Sequence, residues 1–268
     1  MKKIQLAILF AVLLLCFTAN AQERIITEEV LYSPKLNKQV NNDPKSRLAD
    51  LLTVTDFKSV SVRPKKTAVF DDRMELFFNK THATIIKFSD ILDYPIVITK
   101  QTIKQGPNTG YLTFIRIKSK NSTNEELSMN ILSDLKDLAD HLFYFQHKLN
   151  ASRYDSLINI FKPLALKYQS LTVKPQISEE QRKFVVQANS LNQDKKFEKA
   201  IEYYNKAIDI DPVDYPAAYS NIALLSAQLC NYDAAMFYMK KYLLLEPTAT
   251  DSRSCQDKIY EWEIKIKD

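Results

Sequence analysis

The chain has 268 residues, with 37 Lys and Arg against 32 Asp and Glu, and a formal charge of +5. That balance gives no footprint for nucleic acid, which needs Lys and Arg clustered on one face. The only two glycines, Gly106 and Gly110, share one loop and neither leads into a helix, which excludes the glycine-rich phosphate-cradling loops of nucleotide-dependent catalysis.

At the start, Met1-Lys2-Lys3 precedes an apolar run over 4–17 and then Ala19-Asn20-Ala21. This order reads as a secretory signal over 1–21. The apolar run is too short for a membrane span, which needs about 20 residues. Leu15 stands before Cys16 where lipid attachment wants a small residue, so Cys16 is expected to leave with the signal. Loss of Lys2 and Lys3 leaves a charge of +3. No second run of about 18 apolar residues follows, so no stable membrane span is expected after signal removal, and the expected location is periplasmic or secreted.

Residues 22–53 read as a leader segment, whose alternating stretch over 24–31 suits an edge strand. Asp43-Pro44 should cap and start a short helix presenting Leu48, Leu51 and Leu52 inward. Over 54–172 the pattern is that of an α+β domain. Strands are expected at 57–62, 68–78, 84–88, 96–102 and 111–117, with a turn at Asn79-Lys80-Thr81-His82. Glu75, Lys87 and Arg116 alternate with apolar neighbours, as in an antiparallel sheet with one wet face. Leu127, Ile131, Leu135, Leu138, Leu142 and Phe145 form an apolar stripe predicting a covering helix over 124–149. A second helix is expected over 152–171, kinked or broken at Pro163. A strand meander closed by a long helix looks like the pleckstrin-homology superfold, a resemblance of element order. Residues 173–179, with Pro175, read as a linker.

Little in this part of the chain suggests catalysis. His141 and His147, six residues apart, lie roughly 120° apart around a helix, which is poor for a shared metal, and His82 stands alone. Gly-x-Ser-x-Gly, His-Glu-x-x-His and Cys-x-x-Cys are all absent. The doublets Glu28-Glu29, Asp71-Asp72 and Glu125-Glu126 read as solvated, because adjacent residues rarely face one another. No enzyme activity, cofactor or metal is expected.

From 180 to 249 one pattern is written twice. Phe184, Ala188, Phe197, Ala200 and Pro212 recur 35 residues later as Tyr219, Ala223, Tyr232, Ala235 and Pro247. Each unit reads as a helical hairpin, with helices over 181–193 and 197–210, then 216–229 and 232–245. A capping helix is expected within 250–268.

This resembles the tetratricopeptide repeat. The first unit matches well, through Phe184, Ala188, Ala200, Tyr204, Ala207 and Pro212. The second departs from the pattern at Ser226, at Cys230 (which replaces the turn glycine) and at Tyr242. The resemblance implies protein binding in a groove lined by the first helices. One subset of the family clamps a peptide's terminal carboxylate with two asparagines and several basic residues. Asn189 and Asn221 fall on the asparagine positions, but Val185, Ser252 and Gln256 stand where Lys or Arg would be. The implied peptide groove therefore comprises Asn189, Asn221, Val185, Leu224 and Gln228, with little charge selectivity. Stacking of the capping helix would hold Cys255 about 15 Å from Cys230 along the helix rise, too far for a disulfide.

The expected architecture is an antiparallel sheet closed by a long helix, followed by an all-α repeat array. The expected function is that of an exported adaptor binding a protein or peptide. The alternative is an envelope module that binds a lipid or small ligand through its sheet domain; a deep apolar pocket there would favour it.

Overall fold

The computed structural model describes residues 25–36, 40, 42–58, 62–80, 83–105, 107–118, 125–129 and 131–267. The expected signal and Cys16, the turn residues Thr81 and His82, and Gly106 lie outside them.

Among the described residues eight strands form two antiparallel sheets. In the larger, β1 (Ile25–Tyr32), β6 (Ile98–Gln105), β7 (Asn108–Ile117), β8 (Glu125–Ser128) and β2 (Asp56–Phe57) neighbour one another in that order. β3 (Lys66–Val69), β4 (Arg73–Phe77) and β5 (Ala83–Lys87) form the smaller one. The sheets are not one meander, since β1 pairs with β6 and β2 with β8, and this corrects the order on which the pleckstrin-homology likeness rested. The expected strand over 68–78 is a hairpin instead. Phe70 N donates to Arg73 O at 2.8 Å and the chain reverses through Asp71-Asp72, residues suited to turns.

Asp71-Asp72 and Glu29 are solvated as expected, whereas Glu126 is mostly covered and Glu28 is engaged by an arginine. Arg116 on β7 lies between Glu28 of β1, at 3.0 Å, and Glu126 of β8, at 3.1 Å, while Asp71 meets Lys45 at 2.8 Å. The Arg116 guanidinium holds the Glu28 carboxyl below its usual range, against a smaller opposing effect of burial.

Helix α1 (Pro44–Thr53) starts as expected, with the Asp43 carboxylate accepting from Ser46 N at 3.3 Å. Its Leu48, Leu51 and Leu52 join the sheet core, as does the single turn α2 (Phe88–Ile91), where Phe88 stacks on Phe145 at 4.9 Å.

Two helices were expected over 124–149 and 152–171, but one continuous helix forms, α3 (Leu132–Ser170), of 39 residues. Residues 125–128 are strand β8, so Leu127 fills the sheet core from a strand. Pro163 does not break the helix. It faces solvent, as does Asn159, whose carbonyl loses its helical partner to the proline and is left to water. At the C-terminus, Lys174 Nζ donates to Tyr168 O at 2.7 Å, placing a cation against the negative end of the helix.

The C-terminal helices follow the sequence closely: α4 (Glu179–Gln193), α5 (Phe197–Ile210), α6 (Ala217–Gln228), α7 (Tyr232–Leu245) and α8 (Ser252–Lys267). Ser178 and Gln181 form a reciprocal capping box at the start of α4. The Gln181 amide also donates to Ala207 O and Asp211 O, both at 3.2 Å, tying the start of α4 to the end of α5. Ala188, Ala200 and Ala207 sit fully buried at the α4–α5 contact, and Ala223 and Ala235 do the same between α6 and α7. The turns inside the two hairpins place Lys195 and Cys230, which are 35 residues apart, at φ of 58° and 59°.

Two outcomes follow from this packing. Ala200→Leu should lower stability by ~1–3 kcal/mol, because a fully buried close contact has no room for added methylenes, while exposed Lys199→Leu should cost little; chemical denaturation compares them. Lys195→Gly should raise stability by about 0.5–1 kcal/mol, because a left-handed residue loses its Cβ clash, and β-branched Lys195→Val should lower it.

Candidate functional site

The second half of α3 packs along α7, so the second helices of the hairpins are partly spent on contacts within the chain. Phe161, Ala165 and Tyr168 join Ala235, Met239 and Tyr242 in one apolar cluster. Polar pairs fasten the repeats to the rest of the chain: His147 Nδ1 of α3 lies 2.8 Å from Asp233 of α7, Asn231 donates to Asp93 O at 3.4 Å, and Lys118, after β7, pairs with Glu198 of α5. The first helices, α4, α6 and α8, keep an outward face that carries exposed Val186, Leu224, Tyr260 and Ile264.

The expected groove residues fall on that face with one exception. Asn189 is exposed, and Asn221, Leu224 and Gln228 lie three and four residues apart on one side of α6. Val185 does not belong with them. It is 6 % exposed and packs with Ala188, Ala200 and Tyr204. Its neighbour Val186, one residue and thus roughly 100° further round the helix, is the outward one at 57 % exposure. The signal for Val186 was its spacing of three from Asn189. Gln228, at the end of α6, lines a hollow of about 180 Å³ against the sheet with Glu28, Arg116 and Lys118.

Asn189 is oriented from behind. The Tyr204 hydroxyl donates to Asn189 Oδ1, and burial pushes that phenol up to about 12, so it stays a neutral donor throughout the physiological range. The Asn189 Oδ1 is thereby engaged, and its Nδ2 makes no hydrogen bond among the described residues. The Asn221 amide makes no side-chain hydrogen bond among the described residues. Two amides on neighbouring helices can meet the alternating carbonyl and N–H groups of an extended peptide.

Residues 185–214 and 216–248 match the family model described as the tetratricopeptide repeat. The C-terminal third is a pair of tetratricopeptide repeats. No curated protein matches the chain. Tetratricopeptide repeats are a non-catalytic fold for protein–protein interaction.

Of the remaining sequence candidates, His141 and His147 have structural partners, and His82 lies outside the described residues. His141 is buried, its Nδ1 2.8 Å from Asp137 O and 3.0 Å from the Asp137 carboxylate. Cys230 and Cys255 are free thiols, Cys255 inside the core of the second repeat. Among the described residues no three His, Cys, Asp or Glu gather as a metal site, and no helix is long and apolar enough to cross a membrane.

The Tyr204 contact generates a test of groove geometry. Tyr204→Phe should cost ~0.5–1.5 kcal/mol by denaturation, since it removes one hydrogen bond and keeps the ring.

Proposed function

We propose that this chain is an exported adaptor whose tetratricopeptide repeats hold an extended segment of a partner protein along α4, α6 and α8. The observation that carries the reading is that the first helices carry exposed Asn189 and half-buried Asn221 among exposed apolar residues, Val186 and Leu224. The positions that would clamp a terminal carboxylate carry Val185, Ser252 and Gln256, so recognition rests on backbone hydrogen bonds and apolar contact rather than on charge. The protein acts by binding, not by catalysis. Against the sheet-ligand alternative stands a sheet core filled by Leu48, Phe57, Leu76, Ile98, Ile115 and Phe145.

Export is supported by the lysines, apolar run and small residues of 1–21. The exported chain should begin at Gln22, which N-terminal sequencing decides; a lipid on Cys16 would make it a membrane-anchored adaptor instead.

The groove reading has its own measurement. Asn189→Ala with Asn221→Ala removes two amides without touching the alanine contacts between helices. Partner affinity should fall between about fivefold and a hundredfold, with the melting transition nearly unchanged. A well-folded variant that binds an identified partner as tightly as the parent would remove the groove from consideration.

A further inference from the structure

The second face of the hairpins is not packed solid. Where α3, α5 and α7 meet beside the loop of Asp93 to Pro95, they leave a cleft of about 430 Å³, within the size range of small-ligand sites. Its walls are aromatic and aliphatic. Tyr154 of α3 stacks on Phe237 of α7 at 4.3 Å, and Leu157 and Ile201 line the cleft beside them.

Lys241 lies in this wall and is chemically out of place. Its Nζ stands over the rings of Phe161, Phe237 and Tyr219 at 4.6, 5.0 and 5.2 Å. Among the described residues it has no ion-pair partner, and burial alone pulls its pKa down. Ring faces attract a cation but do not accept its three N–H donors as a carboxylate does. Two further groups lining the cleft have donors to spare: the Tyr154 hydroxyl makes no hydrogen bond among the described residues, and Asn205 accepts from Tyr238 at 3.3 Å through Oδ1, leaving Nδ2 unused.

The other charges restrict what an occupant can be. Arg153 is already held by Asp93 at 2.6 Å, and Glu198 by Lys118. That leaves Lys241 within the cleft and Asp209 at its exposed rim as the lining charges without an ion pair among the described residues. One free cation with carboxylates at the rim suits a monoanion and repels a phosphate dianion.

We propose that this cleft binds an organic monocarboxylate with an apolar body, the carboxylate meeting Lys241 and the body lying against Tyr154, Leu157 and Ile201. The site is built mainly on α3, α5 and α7, with Tyr219 and Ser226 of α6 completing its wall, and none of the residues proposed for peptide contact lines it, so each can fail without the other. A free small acid and the C-terminal residue of a peptide present the same chemistry.

Calorimetric titration of the full chain tests it with N-acetylphenylalanine, its neutral amide and phenyl phosphate. The acid should bind at least about tenfold more tightly than either comparator, since a hydrogen bond to a charged group is lost in the amide. Lys241→Met, which retains the stem over the rings, should abolish the preference. Tyr154→Phe retains the stack and should weaken the acid about threefold to tenfold, giving a second reading should the Lys241 variant not fold. A six-residue peptide ending in Phe with a free carboxylate assigns the source: binding equal to the small acid points to a peptide terminus, and no binding points to a free acid. Equal affinity for acid and amide, no acid binding at about 5 mM, or an acid preference that survives in the folded variants overturns the proposal.

Discussion

Everything else in the molecule depends on α3 belonging to two cores at once. At 1.5 Å per residue its 39 residues span roughly 58 Å, enough to cover the sheet with one end and reach the repeats with the other. Leu135, Leu138, Leu142 and Phe145 are buried against the strands, and Phe161, Ala165 and Tyr168 against α6, α7 and α8. Freeing the sheet from the repeats would therefore mean exposing one of these clusters or bending the helix between them. The polar pairs at the junction, His147 with Asp233 and Arg153 with Asp93, fix how α3 lies rather than supplying its main stabilisation, which comes from the apolar area it buries on both sides.

This shared helix also decides how the two faces of the repeats are used. By lying on the second helices it leaves the first helices for an outside partner. The two faces differ in chemistry as a result: amides and scattered aliphatic residues on one, and on the other a cluster of aromatic rings enclosing a lysine. Where α6 approaches the sheet, Gln228 lines a hollow together with Arg116 and Lys118. Edge strand β1 carries Glu28 and Glu29 at mid-length, and charges there discourage a second strand from pairing along it.

The repeats were legible because their packing is local. A close helix contact demands a small residue, and its recurrence at 35 residues writes that demand into Ala188 and Ala223, then into Ala200 and Ala235. The sheet was legible only in part. Strand pairing is between distant segments, so nothing in the neighbourhood of β1 announces its partner β6, and an unbroken β-rich pattern hid the reversal at Asp71-Asp72. Pro163 was over-read because the proline rule concerns one hydrogen bond, whereas burial of the residues on either side holds the helix together. Of the proposed groove, Asn189 and Asn221 are named by their positions in the repeat; Val185 is buried and its neighbour Val186 exposed, a shift of one residue that on a helix exchanges the core for the outer face. The cleft had no local signal at all, since Tyr154 and Lys241 are brought together only by the fold.

Groove and cleft share one element, α6, which presents Asn221 to the first and Tyr219 to the second. Whether binding at one is felt at the other depends on whether α6 has a second arrangement to adopt. Its packing argues against one. Ala218, Tyr219, Ile222 and Ala223 are at most 1 % exposed, and the Tyr219 hydroxyl is fastened to Pro212 O at 2.8 Å, at the end of the preceding hairpin. Moving α6 toward either ligand would open space against α5 or α7, and a close-packed interior resists that more strongly than one polar contact could drive it. The same rigidity that positions Asn221 for a partner thus makes the two surfaces independent, each pre-formed on one side of a helix that stays in place.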